Sequence, residues 1–221
     1  MLVDSTFFTG KLYLPNMTEP DVNNRLGDDL QTVIDTVEEK LLSAIFGREM
    51  WLDFKAKYEN KETEPLSVEY QRILDGYTYE INGKKYYWLG LINDETKQSL
   101  IADLVYYEYK ANTSSITTEL GEASINLKAG DNASNTYKMV EAFNSFAGKC
   151  FGGFRGIADG YTINGDPFWY LGGRGVDFYG INRNSETASL VQFLYDNVSD
   201  YPLLKFNFMD IDMQPKNTFG I

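Results

Sequence analysis

Residues 21–58 read DVNNRLGDDLQTVIDTVEEKLLSAIFGREMWLDFKAKY. Val22, Leu26, Leu30, Val33, Val37, Leu41 and Ile45 recur at spacings of three and four, which gathers them on one face of an α-helix. Asp28 and Asp29 favour the positive end of such a helix, Gly27 marks a kink or its true start, and Gly47 stands where a glycine ends one. REMWLDFKAKY then predicts a second helix with Met50, Phe54 and Tyr58 on one side. Burying such a stripe contributes about 1.5–3 kcal/mol per large side chain before entropy is subtracted. Two consecutive amphipathic helices set the expectation of a mainly helical body.

Before this stretch, MLVDSTFFTGKLYLPNMTEP (1–20) reads as an extended arm, because Pro15 and Pro20 oppose helix. After it, the polar run ENKETEP is a loop, and SVEYQRILD (67–75) is a short helix ended by Gly76. YTYEINGKKYYW (77–88) predicts a hairpin, since Asn82-Gly83 between two aromatic runs is the preferred type I′ turn. NDETKQSLIADLVYYEYKAN (93–112) predicts the strongest helix. Leu100, Leu104, Tyr107 and Ala111 form its stripe, and Ile101 and Val105 widen it enough for the centre of a bundle.

TSSITTELG then reads as loop, EASINLK as a short strand, and Ser134 to Ala147 as a helix carrying Tyr137, Met139, Val140, Phe143 and Phe146. Residues 148–185 differ in kind, with ten glycines set among aromatics, and predict loop with one hairpin around Asn164-Gly165. A last helix over 186–197, capped by Ser185, precedes YPLLKFNFMDI, which reads as a strand leading into the tail. The expected fold class is mainly α (α+β): a helical bundle with a β-hairpin, a Gly- and aromatic-rich insertion, and extended N- and C-terminal arms. The expected divisions are an arm at 1–20, a helical core at 21–147, an insertion at 148–185, a final helix at 186–200 and an arm at 201–221.

Composition narrows the function classes. The 221 residues carry 20 basic and 32 acidic side chains, a net −12, and both halves are acidic. Gripping nucleic acid requires clustered cations, so a DNA-gripping role is disfavoured, whereas a surface that repels DNA suits this balance. Histidine is absent, which removes the commonest general base and metal ligand. A single cysteine, Cys150, excludes an internal disulfide framework. Residues 1–20 lack the pattern of a signal peptide, no apolar run approaches the ~18 residues of a membrane span, and the four Asn-x-Ser/Thr sequons carry little meaning without a secretion signal.

Several constellations have plain structural readings. FGGFRG (151–156) and GGRG (172–175) do not connect a strand to a helix as a phosphate-cradling loop does, and read as structural loop. Asp210 and Asp212 alternate on the expected strand and could share a cation or serve a carboxylate hydrolase; a solvated strand face is the commoner explanation. Trp169, Tyr170 and Tyr179 could stack on sugars, which keeps a carbohydrate-binding module as the alternative reading. Aromatic residues otherwise fill cores and protein interfaces. No catalytic, cofactor-binding or metal-ligating set emerges. The chain closes on NTFGI, and apolar residues at a terminus gain little unless something buries them.

AIFGREMWLDFKAKY (44–58), the run from Trp88 to Phe146 and the closing NTFGI together resemble the head–tail connector, or adaptor, proteins of tailed phages, in the version found in Bacteroidetes phages including crAss-like phages. The resemblance covers about residues 1–148 and 186–221; the Gly-rich 148–185 departs from it. It implies a mainly helical structural subunit of the virion neck, without cofactor or catalytic residues. Twelve copies would form a ring beneath the portal protein, line the DNA exit channel without binding the passing genome tightly, and receive the next tail protein. It further implies that Tyr201–Ile221 is the portal-docking arm. The residues expected to dock on the portal or a neighbouring copy are Phe206, Phe208, Phe219, Gly220 and Ile221.

Overall fold

The computed structural model describes residues 1–14, 25–113, 115–118, 121–124, 135–151, 154–155, 162–163, 166–167, 178–179 and 186–206. It is mainly helical with a small sheet. The first helix, α1 (Arg25–Phe46), buries Leu30, Val37, Leu41 and Ile45 of the expected stripe together with Ile34, Leu42 and Phe46; Val33 is half-buried, and Val22 lies outside the described residues. Gly47 separates it from α2 (Arg48–Glu59), whose Met50, Trp51 and Phe54 are buried. Phe54 lies 5.8 Å from the Phe46 ring and 5.2 Å from that of Tyr70, both edge-on, so α1, α2 and α3 (Val68–Asp75) share one aromatic cluster. Ser67 caps α3 by accepting from the Tyr70 N–H.

Strands β1 (Tyr77–Ile81) and β2 (Lys84–Trp88) pair antiparallel across Asn82-Gly83. Both turn residues take positive φ, 51° and 78°, as the type I′ turn demands. Tyr79, Tyr86 and Trp88 face inward, and the Trp88 indole N–H donates to the buried Ile73 carbonyl at 3.0 Å.

The next helix starts later than the sequence implied. Ile92–Asn93 (β3) and Gln98–Ser99 (β4) form a small ladder, and α4 begins only at Leu100, running to Thr113. The Asn93 side chain accepts from the Thr96 N–H, and Lys97 adopts a φ of 52°. Asn and Asp compete with helix in this way, by bonding nearby backbone. Ser99 Oγ donates to the Leu91 carbonyl and accepts from the Ile101 N–H, tying the loop to the start of α4.

Packed between α1 and α5 (Asn135–Phe151), α4 buries Ile101, Ala102, Val105, Tyr106 and Tyr109. Leu104, Tyr107 and Ala111, expected at the centre of its stripe, are half-buried, so the stripe is rotated toward residues 101, 105 and 109. On α5, Phe143, Phe146, Ala147, Cys150 and Phe151 are buried, whereas Tyr137 is 61% exposed.

Other expectations are corrected in detail. Residues 1–14 are not a free arm. They form two single 3-10 turns, Ser5–Phe7 and Gly10–Leu12, and bury Leu2, Val3, Phe7, Phe8 and Leu14 in the common core. Apolar burial here outweighs the absence of regular structure. Ser115–Thr118 (β5) and Gly121–Ser124 (β6) pair, so part of the expected TSSITTELG loop is strand.

Thr162–Ile163 (β8) and Asp166–Pro167 (β9) flank Asn164-Gly165 as expected, and Phe154–Arg155 (β7) pairs with Phe178–Tyr179 (β10). Thr187–Ala188 (β11) joins β2 in parallel, and α6 (Leu190–Asp196) is capped by Ser189 rather than Ser185. No helix among the described residues is long and apolar enough to cross a membrane.

Candidate functional site

The resemblance implies docking through the C-terminal segment, and the structure describes how the start of that segment, 201–206, is held. A 3-10 turn at Val198–Asp200 follows α6. Tyr201 is then buried edge-on against Phe193, with ring centroids 6.1 Å apart, and its hydroxyl donates to the Glu69 carbonyl at 3.0 Å. Burial pushes the Tyr201 phenol well above its ordinary range, so it is a neutral donor at any physiological pH. Asp200 pairs with Arg72 at 3.2 Å, and the Arg72 guanidinium lies 4.3 Å from the centre of the Tyr77 ring.

The chain turns at 202–203, where the Leu204 N–H donates to the Tyr201 carbonyl. Lys205 then reaches the corner between α1 and α2. Its N–H donates to the Phe46 carbonyl at 2.9 Å, which supplies a partner for one of the end-of-helix acceptors that α1 cannot satisfy internally. Its ammonium lies 3.1 Å from Glu49.

Gly47 makes this approach possible. Its φ is 80°, and a Cβ there would lie 2.7 Å from the Lys205 carbonyl oxygen and 2.9 Å from the Lys205 Cβ. The glycine expected to stop a helix is therefore also the socket against which residues 201–206 lie.

Of the expected docking residues, Phe206 is half-buried and packs on the core with Leu203 and Leu204, so it belongs to the root. Phe208, Phe219, Gly220 and Ile221 lie outside the described residues, as do Asp210, Asp212, Trp169 and Tyr170. Tyr179 lies in β10. Through Phe206 the chain is not the strand that YPLLKFNFMDI implied; its backbone bonds go to a turn and a helix end.

Among the described residues two carboxylates are buried: Glu38, which the sequence reads with Glu39 as helix-surface charge, and Asp103. Glu38, on the inner face of α1, accepts from the Leu2 N–H at 2.9 Å and anchors the N-terminal segment. Asp103, on α4, accepts from Ser145 Oγ at 2.8 Å and from the Lys149 ammonium at 2.7 Å, both on α5. Burial, the largest influence on each, holds both carboxyls above their ordinary values despite these bonds. The signal available for Asp103 was its place inside an apolar run.

The fold also has cavities. One of about 310 Å³ lies between α1, α4 and α5 and is bordered by Val33, Leu104 and Phe143; another of about 430 Å³ lies over the start of α4. Among the described residues, no group of three His, Cys, Asp or Glu could hold a metal ion. No protein-family model, curated protein or solved structure matches this chain.

Proposed function

We propose that this chain is a structural subunit of a tailed-phage neck, a ring-forming connector that docks on the portal through its C-terminal segment and lines the DNA exit channel. The observation that supports it best is the anchoring of Tyr201–Phe206 at the corner between α1 and α2. A docking arm transmits position only if its root is fixed. This root is held by backbone bonds at Lys205, a buried tyrosine and an ion pair at each end.

The residues beyond it, NFMDIDMQPKNTFGI, combine apolar side chains with few cations, as a segment buried by a partner would. The net charge of −12 fits a channel wall past which DNA moves without being held. A head-to-tail ring needs two different contact surfaces on each copy. The C-terminal segment is assigned to the portal, and the ring contacts are assigned to the helical body.

Solution mass measured by light scattering over a wide concentration range, with negative-stain images, tests the ring. Closed rings of many copies, alone or on added portal protein, are the expected result. A chain that stays monomeric in both conditions contradicts it.

A further inference from the structure

The 430 Å³ cleft over the start of α4 brings four ammonium groups together in an acidic chain. Among the described residues, Lys11, Lys97, Lys138 and Lys149 border it, against Asp103 and Glu141. The four come from three parts of the chain: the second 3-10 turn, the β3–β4 turn and α5. Lys149 is held by Asp103, Lys11 pairs with Glu141, and Lys97 pairs with Asp94 at 3.0 Å while its ammonium stands 4.9 Å from the Phe7 ring. Among the described residues, no ion pair takes up Lys138. The cleft borders a second cavity of about 320 Å³ across Gln98, Ser99 and Lys149, where Tyr87 and Leu89 are about half exposed.

We infer that this cleft is a docking site for an extended acidic segment of a partner protein. The choice between anions rests on the geometry of the cations. A tight phosphate site converges donors on one point, usually with arginine forks or backbone N–H groups, and here the described cations are lysines on flexible stems arriving from different elements.

Carboxylates strung along a peptide match such dispersed point charges. Glu141 and Asp103 already sit between these lysines in that manner. The field of a chain at −12 opposes every anion, and it opposes a nucleic acid, with a charge at each nucleotide, more than a peptide carrying a few carboxylates. The exposed Tyr87 and Leu89 next door offer an apolar side chain of the same segment a place to rest.

The test is fluorescence anisotropy at low salt on the full chain. The probe is a fluorescein-labelled octapeptide pool randomised over Asp, Glu, Leu and Phe; a lysine-for-acid pool and a labelled single-stranded DNA 12-mer serve as controls. The acidic pool should bind and weaken as salt rises. Affinity should fall tenfold or more in the Lys11→Glu/Lys138→Glu double variant, and remain within twofold in Lys85→Glu, an exposed hairpin position away from the cleft. Unchanged circular dichroism and thermal midpoint in each variant show that folding is retained. Absence of binding by the acidic pool, equal binding by the double variant, or binding of the DNA instead would overturn the assignment.

Discussion

Gly47 and Lys205 meet backbone to backbone: the position a Gly47 Cβ would occupy is 2.7 Å from the Lys205 carbonyl oxygen, and the Lys205 N–H bonds the residue just before, Phe46. One glycine thus serves the turn between two helices and the seat of a segment 158 residues later in sequence. The expected docking arm is part of the fold up to Phe206, and whatever it does beyond that begins from a fixed point.

Gly47→Ala should therefore cost more than the conformational penalty alone. Placing alanine at φ 80° and ψ 150°, a region essentially confined to glycine, costs about 1–3 kcal/mol, and overlap with Lys205 adds to it. Gly83→Ala is the comparison, a glycine at a φ of 78° with nothing within 4 Å of its Cβ position and therefore no overlap. Urea unfolding of the two variants should show Gly47→Ala to be the less stable by about 1 kcal/mol or more. Equal losses would mean that residues 201–206 do not press on this corner.

Ser99 offers a second check. Its hydroxyl caps α4 and also supplies a donor to the buried Leu91 carbonyl. Ser99→Ala removes both, and should destabilise by about 1–3 kcal/mol. Ser99→Thr, which keeps the hydroxyl, should recover most of that. Chemical denaturation reads both.

Asp103 makes a prediction about pH. Its folded carboxyl is held above the ordinary 3.8, chiefly by burial, so the native state binds its proton more tightly than the unfolded chain does. That contribution to stability is fully present below about pH 3.8 and is lost as pH rises through the higher folded value. Unfolding free energies of the wild type and Asp103→Asn from pH 3 to 7.5 should diverge accordingly. The wild type should lose ground to the variant with rising pH and then level off. A wild type that gains ground would show that the Lys149 and Ser145 bonds outweigh burial.

Local chemistry was the legible part of this sequence. The Asn82-Gly83 hairpin, the stop at Gly47, the Ser67–Gly76 helix and the hairpin flanking Asn164-Gly165 follow from rules acting over a few residues, and the structure has all of them. What failed depended on distant partners. The run Asp94–Lys97 resembles the acidic first turn of a helix, yet it forms a turn because Ser99 is tied back to Leu91. Residues 1–14 lack periodicity, and only the receiving faces of the bundle explain why Phe7 and Phe8 are inside.

The parallel pairing of Thr187 and Ala188 with β2 spans 100 residues and leaves no mark in either segment. The candidate site divides the same way. The sequence marks an apolar, acid-bearing end, but its root on Phe46, Gly47 and Glu69 comes from tertiary structure alone.

The central claim is that the last residues dock this chain on a portal. Co-sedimentation with a tailed-phage portal protein, using the full chain and a chain lacking residues 209–221, tests that directly. The account predicts that the full chain travels with the portal as a ring, whereas the shortened chain remains folded by circular dichroism and stays behind. Failure of the full chain to bind the portal, or equal binding by the shortened chain, would contradict it.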